Sequence, residues 1–206
     1  MIYLSGGVPR SLRENPHPSI GWMTSPDKTN RGHCGRMAWA ADNGCFAQGD
    51  RFDAERWLRW LASLAPFAPR CLFAVAPDVV GDAAATLARS APHLPTIRRL
   101  GFGAAFVTQD GCHSDLVPWD ALDCLFVGGT DAWKLGERSY ALCAEAKARG
   151  KWVHMGRVNS LRRLRACRVS LVDSADGTQL AHRPDETLPL LRRWLDALAA
   201  QTVLGT

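Results

Sequence analysis

Short unbroken apolar runs punctuate the chain, and stretches of helical periodicity fill the gaps between them. The runs cover residues 2–5, 37–41, 71–76, 103–108, 124–127, 152–155 and 169–172. A run of this length without polar alternation is the pattern of a strand buried on both faces, as in a parallel sheet. Residues 53–64 place Trp57, Leu58, Trp60, Leu61 and Leu64 at mostly helical spacing behind Asp53, a predicted cap. Residues 82–100 read as helix broken near Pro92 and Pro95, and 140–149 as helix stopped at Gly150. Residues 160–167 and 188–200 complete the helical set.

Repeated β–α units with short connections predict a parallel sheet covered by helices, in one domain spanning residues 1–206. Seven strands fit an open doubly wound sheet, or a compact α/β (β/α) barrel of TIM type that is modified or short of a strand. No eighth strand is evident after Asp173. Residues 8–36, rich in Pro, Gly, Ser and Arg, show no clear period and are expected to form a long functional loop, in which Trp22 is a candidate for stacking on a base.

Three of the runs stop at an aspartate: Asp42, Asp78 and Asp173. In α/β folds ligands gather at the carboxyl ends of the strands, and Gln109 and Gly128-Gly129 follow two further runs in the same way. Each residue alone has a plainer reading. Asp42 can close a turn with Asn43-Gly44, Asp78 can support the helix after it, and Asp173 can pair with nearby arginines. Phe46 and Met155 can be core residues. Their shared placement argues for a single site facing one way.

The charge balance narrows the choice of partner. The net charge is +5, and from Arg149 to Arg168 the chain carries seven basic residues and no acidic one. A run of this kind is either a solvated helix face or a phosphate-contacting surface, and its position just before Asp173 favours the second. Lys134 and Arg157 follow site-forming loops, and with Arg162 and Arg163 they are the candidate phosphate contacts. Seven scattered cysteines without a C-x-x-C pair argue against a disulfide framework and a structural zinc site. Neither a P-loop nor a dinucleotide fingerprint is present. No apolar stretch approaches the ~20 residues of a membrane span, and the start of the sequence lacks a signal-peptide pattern. A cytoplasmic protein is expected.

In order, Asp42-Asn43-Gly44-Cys45-Phe46, Pro77-Asp78, Gln109-Asp110-Gly111, Gly128-Gly129, Met155-Gly156 and Asp173 resemble the motif series of the tRNA-guanine transglycosylase superfamily, whose fold is a modified (β/α)8 barrel. The resemblance covers residues 39–173. It departs from the tRNA-acting enzymes in having no cysteine after Cys167, where those carry a zinc subdomain, and in having Ser174-Ala175-Asp176-Gly177-Thr178 where those carry a basic motif. It is therefore closer to the small zinc-free DpdA-type proteins of bacteriophages and genomic islands, which place 7-deazaguanines in DNA.

The resemblance implies a nucleic-acid guanine transglycosylase that exchanges guanine, in DNA rather than tRNA, for a 7-deazaguanine base, with that base as co-substrate and no metal or other cofactor. It implies Asp173 as the nucleophile that takes the sugar, and Asp42 as the group that moves the base's proton. It implies Asp78 as reader of the guanine edge, with Gln109, Gly128 and Gly129 serving its O6 and Phe46 and Met155 holding its faces. Two alternatives remain open: a DNA glycosylase in which water resolves the intermediate, leaving an abasic site, and a non-catalytic nucleic-acid-binding barrel.

Overall fold

In a computed structural model that describes residues 1–28 and 32–203, eight parallel strands close into a barrel. They are β1 (Ile2–Ser5), β2 (Ile20–Thr24), β3 (Trp39–Ala41), β4 (Cys71–Val75), β5 (Ala104–Thr108), β6 (Cys124–Val127), β7 (Trp152–Met155) and β8 (Ser174–Gly177). Each pairs with its sequence neighbour, and β8 returns to β1 with Ile2 opposite Ser174 and Leu4 opposite Asp176. The outer helices are α1 (Arg10–Glu14), α2 (Cys45–Gln48), α3 (Ala54–Ala62), α4 (Ala83–Ser90), α5 (Leu94–Arg99), α6 (Asp131–Lys134), α7 (Glu137–Ala148), α8 (Leu161–Val169), α9 (Gln179–His182) and α10 (Pro184–Val203). Of the two architectures the strands fit, the (β/α) barrel of TIM type is the one formed, and it is complete, with all eight strands in the ring.

Side chains alternate across each strand and make two layers. Leu4, Met23, Ala40, Phe73, Val75, Ala105 and Val107 fill the barrel interior as one cluster. Tyr3, Trp39, Phe106, Leu125, Val153 and Met155 point the other way, into the larger core beneath the helices. Helix starts follow the expected chemistry: Asp53, Asp82 and Ser160 each accept a backbone N–H from the first turn of α3, α4 and α8. Among the described residues, no helix is long and apolar enough to cross a membrane.

Six of the seven expected strands are found at their places. The two departures lie at β2 and β8. β2 falls inside the segment expected to be a loop, and all five of its residues are buried. There Gly21 is required, because a Cβ would sit 2.5 Å from the Ala38 carbonyl oxygen on the neighbouring chain segment. Trp22 is buried in the outer core with its ring edge-on to His33 at 5.1 Å, so it is not placed to stack on a base.

The apolar residues 169–172 are not a strand. Val169 ends α8, Leu171 takes a left-handed φ of 57°, and the N–H groups of Leu171 and Val172 return to the carbonyls of Arg168 and Cys167. That pair of bonds is a Schellman stop, ordinarily built on glycine. The strand itself starts after it, at Ser174.

Candidate active site

The carboxyl ends of the strands open on a cavity of about 250 Å³. Its walls come from nearly every strand end: Asp42 after β3, Asp78 after β4, Gln109 after β5, Gly128 and Gly129 after β6, Arg157 after β7 and Asp176 on β8. Met23, Val75, Val107 and Phe126 give it an apolar floor. Keeping one direction for all eight strands is what brings these residues, remote in sequence, to one rim.

Asp173 is not among them. It immediately precedes β8, at the opposite end of the barrel, where Lys147 Nζ reaches both carboxylate oxygens at 2.8 Å and Val153 N–H donates to one at 2.8 Å. Its backbone carbonyl accepts the Ile2 N–H, so the residue staples β7, β8 and β1 at their amino ends. The expectation that Asp173 faces the site failed because the preceding apolar run is a helix stop. The aspartate that the last strand delivers to the cavity is Asp176, three residues later.

Asp176 Oδ1 lies 3.1 Å from His154 Nε2 and accepts the Arg157 N–H at 3.2 Å. His154 is fully buried inside the barrel. Arg157 holds a left-handed φ of 61°, which aims its N–H at the carboxylate. Asp42 is partly buried in the wall at the end of β3, and its carboxyl is pushed up to about 7. Burial is the main cause, followed by the charges of Asp176 and Asp78, while an Asn43 N–H and Lys28 act the other way.

Asp78 is held by two amides, Asn43 Nδ2 donating to Oδ1 at 2.9 Å and Gln109 Nε2 to Oδ2 at 2.7 Å. Burial raises its pKa, and these two bonds oppose the rise. Gln109 is itself fixed, since its Oε1 accepts the Gly81 N–H at 3.0 Å. Of the paired glycines, Gly128 uses its N–H on the Thr108 carbonyl, which leaves Gly129 as the one that can offer an N–H to a ligand. Gly129 turns at φ 81°, and a Cβ there would sit 2.6 Å from Asp110 Oδ2.

The remaining expected site residues divide. Phe46, 65% exposed, stands on the rim with the Arg157 guanidinium 4.8 Å above its ring. Met155 is corrected: it faces away from the cavity and is buried against Cys167 of α8, because its β7 position alternates with that of His154. Lys134 lines the cavity, but its ammonium is buried, donating to the Gly156 carbonyl at 2.9 Å and lying 3.2 Å from Asp131. Burial lowers its pKa. Arg163 is bound to Asp131 and to the Arg157 carbonyl, at the side of the rim. Arg162 is exposed on α8 and does not line the cavity.

The sequence assigned no site role to Lys28 or Asp176, and gave Asn43 a place only in the Asp42 motif and its turn. Lys28 donates to the Gly6 carbonyl at 2.6 Å and the Met23 carbonyl at 3.1 Å, and burial lowers its pKa while Asp42 and Asp176 raise it. Among the described residues, all seven cysteines are free and no three His, Cys, Asp or Glu side chains are grouped to hold a metal ion.

No family model matches the sequence, and no curated protein does. Solved structures match by shape. A mandelate racemase/muconate lactonizing enzyme-like protein from Rubrobacter xylanophilus DSM 9941 aligns with a TM-score of 0.52 at 14% identity, over 87% of this chain and 57% of its own. L-Talarate dehydratase from Polaromonas sp. JS666 aligns at 0.49 and 13%, over 86% and 52%. The chain thus spans a little over half the length of these two proteins. The likeness to the first is one of fold.

Proposed function

We propose that this chain is a base-exchanging glycosyltransferase acting on guanine in nucleic acid, DNA in preference to tRNA, with a 7-deazaguanine base as the incoming partner. The observation that carries the reading is the convergence of Asp42, Asp78 and Asp176 on one base-sized cavity, with Asp42 poised to hold a proton near neutrality. The ordered resemblance to guanine transglycosylases supports it, with the nucleophile reassigned from Asp173 to Asp176.

In this mechanism the target base leaves its stack and enters the cavity. A carboxylate oxygen of Asp176 attacks C1′ of the sugar, and the bond from C1′ to the base nitrogen breaks. The electron pair of that bond goes to the base, and the Asp42 proton neutralises it. The incoming base then gives its proton to Asp42 and attacks C1′, releasing Asp176 as a carboxylate. Two displacements retain the anomeric configuration.

Asp78 is the reader of the guanine edge. Its carboxylate, held in place by the Asn43 and Gln109 amides, accepts from the N1–H and N2–H₂ donors of the base. The second N–H of Gln109 and the N–H of Gly129 serve O6. Phe46 and Arg157 frame the entrance, where the Arg157 guanidinium is placed for a flanking phosphate, while Lys134 and Arg163, expected as phosphate contacts, are spent on Asp131.

The test is exchange of radiolabelled guanine into DNA and into tRNA, followed by competition with 7-cyano-7-deazaguanine. Incorporation that Asp176→Asn abolishes is the expected result. Release of base with abasic sites and no incorporation identifies a hydrolytic glycosylase instead. Binding without either reaction, unchanged in Asp176→Asn, refutes catalysis.

A further inference from the structure

The barrel interior is apolar except along β7 and β8, where a column of polar groups runs towards the cavity. Trp152 Nε1 donates to Ser174 Oγ at 2.8 Å, Ser174 Oγ lies 2.8 Å from His154 Nδ1, and His154 Nε2 lies 3.1 Å from Asp176 Oδ1. An indole N–H only donates, so the Ser174 oxygen accepts it and the hydroxyl hydrogen is free to point at Nδ1. An imidazole that accepts at Nδ1 carries its proton on Nε2, where it donates to the carboxylate. All three bonds then run in one direction, and every polar atom of the column is satisfied.

Packing fixes the ring as firmly as the bonds do. The imidazole is fully buried, with Phe73 and Phe126 centroids 4.9 and 4.5 Å from its own. The Arg157 N–H donates to the same Asp176 oxygen. Oδ1 therefore takes two donors, and Oδ2 is the oxygen left with neither.

We infer that His154 is a positioning residue for Asp176: held as the Nε2–H tautomer by Ser174, it pins Oδ1 and leaves Oδ2 as the single reacting oxygen. This rests on the reading of Asp176 as nucleophile. His154 touches neither sugar nor base in it, and acts through Asp176 alone. Removing it frees the carboxylate to rotate, which misplaces the attacking oxygen without altering the base-reading wall formed by Asp78 and Gln109.

Two measurements test it. In the histidine-¹⁵N-labelled protein, long-range proton–nitrogen spectra are expected to show His154 protonated at Nε2 alone, with Ser174→Ala eroding that preference. An Nδ1–H ring or an imidazolium overturns the inference, and this needs no activity. In guanine exchange, His154→Leu is expected to lower kcat about 100-fold with KM unchanged, and His154→Gln, which keeps an N–H near the Nε2 position, to recover most of the loss. Equal rates for Leu, Gln and the natural residue, in variants that melt normally, overturn it. If the natural protein exchanges no base at all, the transglycosylase reading falls, and the tautomer spectrum still decides the His154 column.

Discussion

Replacing Asp42 by asparagine tests the proton inventory of the cavity without any substrate. The carboxyl is pushed up to about 7 from an ordinary 3.8, so across that window the folded protein holds a proton that the unfolded chain has released. Stability contributed by the neutral carboxyl is fully present below about pH 4 and is lost as pH rises towards 7. The difference corresponds to about 4 kcal/mol, and solvent access to this partly buried group trims it to roughly 2–3 kcal/mol. The amide introduced by Asp42→Asn is neutral at every pH and retains an oxygen for the Asn43 N–H. Urea unfolding of both proteins near pH 4 and near pH 8 isolates the effect, because Asp78 and Asp176 are present in each. The variant should match the natural protein near pH 4 and exceed it by roughly 2–3 kcal/mol near pH 8, while losing exchange. An advantage that is the same at both pH values refutes the assignment of a retained proton to Asp42.

Asp173→Ala should cost about 2 kcal/mol in urea unfolding, since it strips Lys147 of its partner and leaves the Val153 N–H unpaired, yet it should leave exchange intact. Abolished exchange in a folded Asp173→Ala protein would restore that residue as the nucleophile. Arg157→Gly should relieve the left-handed backbone by about 1 kcal/mol, read as a higher unfolding midpoint, and raise KM for DNA by removing the guanidinium over Phe46.

The barrel was legible because strands such as β5 and β6 are buried on both faces and read as unbroken apolar runs. β2 escaped notice because its five buried residues sit among prolines, glycines and arginines that dominate the local composition. β8 escaped for the opposite reason: its inward residues are Ser174 and Asp176, its outward ones Ala175 and Gly177, so it carries almost no apolar signal. The apolar residues just before it belong to a helix stop built on Leu171, a conformation that residue type gives no hint of. Asp42, Asp78, Gln109 and Gly129 were found because strand ends are easy to locate when the strand is. Asp176 and Lys28 were missed because they belong to the two strands that were not, one lying on β8 and the other just after β2. The inward turn of His154 rather than Met155 was available from β7 alternation, given the face of a single neighbour.

Closure of the ring by β8 gives the protein a timetable. β1 is synthesised before β8, so seven strands can associate while the edges of β1 and β7 still present unpaired backbone. The strand that covers both edges is the same one that brings Asp176 to the cavity. Until residue 177 has emerged, the nascent chain is open to pairing with other chains and has no finished pocket. Sealing the ring and completing the site are a single event.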